Sequence, residues 1–381
     1  MEKPIGLYIH VPFCLSKCPY CDFYSVTSPD GEALDGYADA VIRSLARWHE
    51  EMPGVAADTL YFGGGTPSAL GGERIARIID AAAGYFGLKN AEITMETNPG
   101  DNLRQVFTSF AAAGGNRVSI GVQSINQEQL KILGRRHTPE DATAAVSAAK
   151  AAGIENVSID FMLGIPCLNP EEMEGQAKGI VESASYALRL GVKHISAYIL
   201  KIEENTPFYS RRDSLLLPDE DMTATIYLTA CETFDLLGFK QYEISNFAIP
   251  GYESRHNLKY WNCDPYLGIG PSAYSYIDGR RFYYPSDIKA FMEGCSPVSE
   301  GGEEIIQNSS GQEYIMLRLR LSEGVTNEGY MERFGTPLPR ELYERAAKLP
   351  SGLLVADSKG IRLTKYGFLL SNAIISHLLF D

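Results

Sequence analysis

Three cysteines fall within eight residues in the stretch CLSKCPYC, at Cys14, Cys18 and Cys21, and the next five positions offer no fourth. A structural zinc site takes four protein ligands, so this Cys-x3-Cys-x2-Cys run would need His10 or a distant cysteine to complete one. Three thiolates can instead hold three irons of a [4Fe–4S] cube and leave the fourth iron open to a small molecule. Such a cluster with S-adenosylmethionine (SAM) is a recognised radical-generating cofactor system. The other four cysteines, Cys167, Cys231, Cys263 and Cys295, are scattered, which makes seven in all. An odd number in a long chain argues against a disulfide framework, and the scattered four read as inert core or surface thiols.

The elements around the cysteines say where that chemistry sits. Short β-branched runs alternate with Ala-rich amphipathic stretches. The strand candidates are 6–12, 59–64, 91–99, 117–124, 156–164 and 194–200, with helical patterns such as GERIARIIDAAAGYF and PEDATAAVSAAKAAG between them. Strand–helix–strand repetition implies parallel strands joined by crossover helices. Six units are too few for a closed eight-stranded barrel, so the fold class is α/β, a partial (β/α)6 TIM-like barrel. An open doubly wound sheet is the alternative. The cysteines follow the first strand, at the end of the sheet where α/β folds place ligands.

Beyond the barrel pattern, 241–285 is rich in aromatics and turn residues and reads as a strand followed by functional loops that connect to a last unit. The expected organisation is 1–240 core, 241–285 connecting segment and 286–381 C-terminal domain. That last region predicts helices at 311–321, 327–334 and 339–348, a hairpin turning at Asp357–Gly360, and a final helix over about 365–379. Helices followed by a two-stranded wing give a mainly helical, winged-helix-like domain.

The 381 residues carry a net charge of −14, which disfavours nucleic acid as a partner. The winged-helix-like region alone is balanced, with nine Lys and Arg against ten Asp and Glu over 303–381, again unlike a DNA-binding surface. No signal-peptide core opens the chain and no run of about 18 apolar residues crosses it, so a cytoplasmic protein is expected.

With these motifs in order, the sequence resembles radical SAM proteins, in the branch of oxygen-independent coproporphyrinogen III oxidases, along nearly its whole length. The resemblance implies a [4Fe–4S] cluster on Cys14, Cys18 and Cys21, chelation of the open iron by the amino and carboxylate groups of SAM, and reductive cleavage of SAM to a 5′-deoxyadenosyl radical. GGGTP (63–67) after the second strand matches the loop for the SAM ammonium, which assigns Gly64, Gly65 and Thr66. Glu96 in ETNP, Gln123 in GVQS, Arg135 in LGRRH and Asp160 in SIDFMLG stand where the family binds SAM. Tyr8 and Tyr20 flank the cysteines and, by the same resemblance, contact the adenine.

The oxidase pattern itself is not met. Oxidases resemble CxxxCxxCxC, whereas here Phe23 occupies the position of the extra cysteine, and thirteen residues precede Cys14 where oxidases carry an extension. The shorter branch, the HemW-type haem chaperones, carries His-Asn-x-x-Tyr-Trp, and this chain has HNLKYW from His256 to Trp261. The resemblance therefore implies haem as cargo, with His256 as iron ligand and Tyr260 and Trp261 shaping the pocket. It also implies delivery to acceptor haem proteins, some of them membrane-associated, and allows a homodimer. Read without the resemblance, His256 is a hydrogen-bonded core histidine beside two aromatics. The runner-up function is coproporphyrinogen III oxidation, and a zinc-bound interaction protein is the third.

Overall fold

The structure, a computed structural model, describes residues 3–27, 29–100, 103–299 and 309–380. Six strands, β1 (Ile5–Val11), β2 (Ala57–Gly64), β3 (Glu92–Thr97), β4 (Arg117–Gln123), β5 (Asn156–Leu163) and β6 (His194–Ile199), lie side by side in chain order. Every adjacent pair is parallel. The crossovers carry helices α1 (Gly31–Glu51), α2 (Gly72–Phe86), α3 (Leu103–Ala112), α4 (Pro139–Ala151) and α5 (Pro170–Leu190), and α6 (Glu220–Leu236) follows β6.

Local chemistry explains the boundaries. Asp30 caps α1 by accepting from the Ala33 N–H, and Thr138 with Asp141 forms a reciprocal capping box on α4, with Pro139 at its first position. Helix α2 stops at Gly87, which adopts the left-handed conformation suited to a C-cap. Apolar faces at helical spacing, such as Tyr37, Val41, Leu45 and Trp48 of α1, are buried against the sheet. Strands covered on one side by helices and curled on the other are buried on both faces, as in β1, where only Tyr8 escapes full burial.

Strands β1 and β6 do not pair with each other. Strand β7 (Asn246–Ala248) runs antiparallel to β6, and β8 (Tyr266–Ile269) runs parallel to β1. Strands β9 (Tyr274–Ile277) and β10 (Arg280–Tyr283) continue outward from β8. The barrel is therefore partial, as the strand count predicts. The segment 241–285 is more than a connector, because its fully buried β8 covers the edge of β1.

A second difference lies in HNLKYW. It forms a helix, α7 (Arg255–Trp261), capped by Ser254, instead of a loop. The sequence also predicts one last helix, and the structure breaks it into Lys365–Leu369 and Ser371–Phe380. The remaining C-terminal helices cover Ser309–Arg318, Asn327–Phe334 and Arg340–Ala346. The wing is a three-stranded sheet in which Leu354–Asp357 and Gly360–Leu363 form the expected hairpin.

Candidate cluster and SAM site

The cysteine loop leaves β1 at the carboxyl end of the parallel strands. Phe13–Cys14 pairs with Val26–Thr27 and closes the loop on itself. Cys14, Cys18 and Cys21 are free and half-buried. The three thiols are near enough to influence one another: burial raises the Cys21 thiol first, and Cys18 and Cys14 add to the effect. Among the described residues no group of three His, Cys, Asp or Glu side chains converges on one metal ion.

The GGGTP loop is stitched to this segment by its backbone. Gly65 N–H donates to the Val11 carbonyl at 2.9 Å and Thr66 N–H to the Phe13 carbonyl at 2.7 Å. Gly64 has φ of +105°, and a Cβ there would lie 2.6 Å from the His10 ring, so only glycine fits. His10 completes the support. Its Nε2 reaches the Tyr24 carbonyl at 3.0 Å and its Nδ1 the Tyr8 hydroxyl at 3.2 Å. Burial lowers the His10 pKa, so it stays neutral, and neither ring nitrogen is left for a metal.

Inside the barrel mouth, the Tyr61 hydroxyl donates to Glu96 Oε1 at 2.7 Å. Burial pushes the Glu96 carboxyl up to about 7, Asp160 adds to the rise, and the Tyr61 and Gly64 hydrogen bonds oppose it. Asp160 Oδ1 accepts from the Ser119 hydroxyl at 2.9 Å, and burial raises its pKa against hydrogen bonds from Ser196 and Ser119. Burial also raises the Tyr8 and Tyr20 phenols, which therefore stay protonated, and Tyr20 hydrogen-bonds the Cys18 thiol. Two carboxylates held by neutral donors suit a cationic, hydroxyl-bearing ligand.

Arg135 crosses from its loop to the cysteines. Its Nη1 donates to Cys18 Sγ at 3.6 Å, and its Nη2 to the Gly121 carbonyl at 2.6 Å and to Asn98 Oδ1. A cavity of about 160 Å³ opens here, lined by Cys18, Thr66, Asn98, Arg135 and neighbours. Gln123 lines a different cavity, of about 240 Å³, with Phe161, Met162 and Gln176. Sequence reasoning missed Asn98, Tyr61 and Ser119. The signal for Asn98 was present in ETNP, since it stands two residues after Glu96, just past the end of the strand that carries that residue.

The comparisons with known proteins agree with this geometry. Residues 8–178 match the Radical SAM superfamily and residues 310–370 the HemN C-terminal domain. The heme chaperone HemW of Lactococcus lactis is 33% identical, covering 100% of this chain and 99% of that protein. HemW of Escherichia coli is 34% identical over 98% of this chain and 97% of its own length.

The chain belongs to the HemW family.

The match to these HemW proteins thus runs along the whole chain. Among solved structures, the coproporphyrinogen III oxidase HemN from E. coli matches with a TM-score of 0.83, over 100% of this chain and 91% of that one. At 22% identity that likeness speaks for the fold.

The site residue from the HemW hallmark lies elsewhere. Helix α7 closes the opposite, amino-terminal end of the barrel. The N–H groups of Arg255 and His256 donate to the Glu92 carboxylate at the start of β3, both at 3.1 Å. His256 is 1% exposed, and both its ring nitrogens are engaged, Nδ1 with the Thr59 hydroxyl at 2.7 Å and Nε2 with the Tyr260 hydroxyl at 2.8 Å. Its ring stacks on Tyr61 with centroids 5.1 Å apart. Burial drops its pKa to about 3, with Lys259 and Arg117 adding to the fall. Gly6 makes room for this plug, because a Cβ there would lie 2.9 Å from Lys259 and 3.1 Å from His256. The motif expected in a loop-rich segment is a helix here. In this conformation His256 has no nitrogen to offer an iron.

Proposed function

We propose that this HemW-family protein holds a [4Fe–4S] cluster on Cys14, Cys18 and Cys21, binds SAM at the mouth of the barrel, and carries haem to acceptor haem proteins. The carrying observation is three free thiols on one short loop at the carboxyl end of the parallel strands, beside a glycine loop and two half-buried carboxyls whose acidity is weakened by desolvation. The cluster, when bound, supplies an electron to the SAM sulfonium. Around it, Gly64 and Gly65 let the backbone approach the ligand, Glu96 takes its ammonium, and Asp160 takes its ribose hydroxyls. Thr66 and Arg135 lie beside the thiols, Gln123 flanks the mouth, and Tyr8 and Tyr20 wall the adenine side.

Haem is the cargo, as the names of the relatives state for those proteins. For His256 to ligate haem, α7 must leave the barrel floor and surrender the Thr59 and Tyr260 hydrogen bonds. The closed plug is then the haem-free form. The competing reading, a purely structural His256, is favoured by those same two hydrogen bonds. The acceptors are haem proteins, some at membranes, and the carrier works in the cytoplasm as a homodimer. Among the described residues no helix is long and apolar enough to cross a membrane. Phe23 in the place of a further cysteine separates this reading from the oxidase.

The deciding experiment is anaerobic reconstitution with iron and sulfide, followed by separate incubations with haem and with coproporphyrinogen III plus SAM and a reductant. Near four irons per chain, a Soret band on adding haem, and no turnover of coproporphyrinogen are expected. Steady multiple turnover would replace the chaperone reading with the oxidase.

A further inference from the structure

Asn98 sits between two of the side chains that reach the cysteine sulfurs, Tyr20 being a third. Thr66 Oγ1 lies 3.6 Å from Cys14 Sγ as donor, and Arg135 Nη1 lies 3.6 Å from Cys18 Sγ as donor. Asn98 Nδ2 donates to Thr66 Oγ1 at 2.8 Å, and Asn98 Oδ1 accepts from Arg135 Nη2. The direction of every bond in this chain is forced. A guanidinium only donates, so the carboxamide must turn its oxygen to Arg135 and its NH₂ to Thr66. The Thr66 oxygen is then an acceptor from Asn98, and its single proton is left for Cys14. Arg135 Nη2 is spent on Asn98 and on the Gly121 carbonyl, which leaves Nη1 for Cys18. Gly121 leaves room for the arrangement, because a Cβ there would lie 3.0 Å from Asn98 Oδ1 and 3.2 Å from Arg135 Nη2.

We propose that Asn98 is a positioning residue for the cluster: one carboxamide aims two hydrogen-bond donors, on two different loops, at the sulfurs of Cys14 and Cys18. The inference rests on the cluster reading above. Hydrogen bonds to cluster sulfurs are one of the protein's levers on reduction potential, because they stabilise the more negative, reduced form. Asn98 thereby raises the midpoint of a cluster that has only three protein ligands. Asn98→Ala removes the link between the two donors. Asn98→Asp keeps the partner for Arg135 but cannot donate to Thr66, so the Thr66 proton turns from Cys14 to the new carboxylate.

The test is potentiometric titration of the reconstituted cluster, followed by electron paramagnetic resonance, in wild type, Asn98→Ala, Asn98→Asp, Thr66→Val and the Asn98→Ala/Thr66→Val pair. The midpoint should fall in every variant. The effect of Thr66→Val should be smaller in the Asn98→Ala background than alone, because the donor is already misdirected there. An unchanged midpoint in Asn98→Ala and Asn98→Asp, or a Thr66→Val effect of full size in both backgrounds, overturns the inference while leaving the cluster reading intact. A wild-type protein that takes up no iron overturns the cluster reading, and the inference with it. If the Asn98 variants hold no iron, alkylation of the cluster-free protein decides. The rates at Cys14 and Cys18 relative to Cys21 should change in Asn98→Ala, and unchanged ratios refute the role.

Discussion

Thr59→Val separates the two readings of the HNLKYW helix with one hydroxyl. Thr59 is fully buried on β2, and its hydroxyl holds His256 Nδ1 at 2.7 Å. Valine keeps the shape and removes the partner, so the closed plug retains a buried imidazole nitrogen with nothing to bond. Leaving one buried polar group unsatisfied costs about 1–3 kcal/mol. The cost falls on the closed form alone if haem binding requires α7 to open. Apparent haem affinity scales with the fraction of open molecules, so Thr59→Val should tighten haem binding by about five- to 150-fold. The same substitution should lower stability to urea by about 1–3 kcal/mol, since the unfolded chain solvates the imidazole. The assays are a Soret titration and a urea melt on wild type, Thr59→Val and His256→Ala. His256→Ala should abolish the tight site. If Thr59→Val lowers stability but neither variant alters haem affinity, then α7 is a structural plug and the iron ligand lies elsewhere. If stability is also unchanged, the reasoning from the hydrogen bond itself fails.

Three further outcomes follow from the mouth of the barrel. Cys18→Ser should remove most of the brown chromophore of the reconstituted protein, as should the same change at Cys14 or Cys21, whereas substitution of Cys167, Cys231, Cys263 or Cys295 should leave it, as read by absorbance and iron content. SAM affinity should depend on the charge of Glu96, whose carboxyl is pushed up to about 7 mainly by burial. Below pH 7 the free protein carries the proton and must release it to pair with the SAM ammonium, so affinity should weaken by up to tenfold per pH unit as pH falls. Calorimetry at pH 6 and pH 8 in buffers of different ionisation enthalpy reads both the affinity and the proton released, and a proton count of zero at pH 6 would place the ammonium elsewhere. In the same assay Asp160→Ala should weaken SAM by about 1–3 kcal/mol, the cost of losing a buried partner.

The linear sequence determined what short range controls. The spacing of Cys14, Cys18 and Cys21 follows from the length of one loop, and the strand–helix rhythm from apolar periodicity and caps such as Asp30 and Thr138. Strand order followed as well, because parallel neighbours joined by single crossovers leave few topologies. Asp160 drew notice because a carboxyl in an apolar strand needs a reason, and Glu96 only through the family resemblance of ETNP. Three matters waited for the tertiary structure, and each depends on contacts between residues far apart in the chain. The role of Asn98 needs Thr66 and Arg135, 32 and 37 positions away, to meet across it. The place of β8 against β1 joins residues some 260 apart, a pairing that no local pattern encodes. His256 carries the third. Its motif told which residues stand together on one turn of chain, but which end of the barrel they close was decided by Glu92 and Thr59 at the strand starts, about 164 and 197 positions away. Hydrogen bonds over such separations are set by how the sheet curls, and curl is a property of all its strands at once.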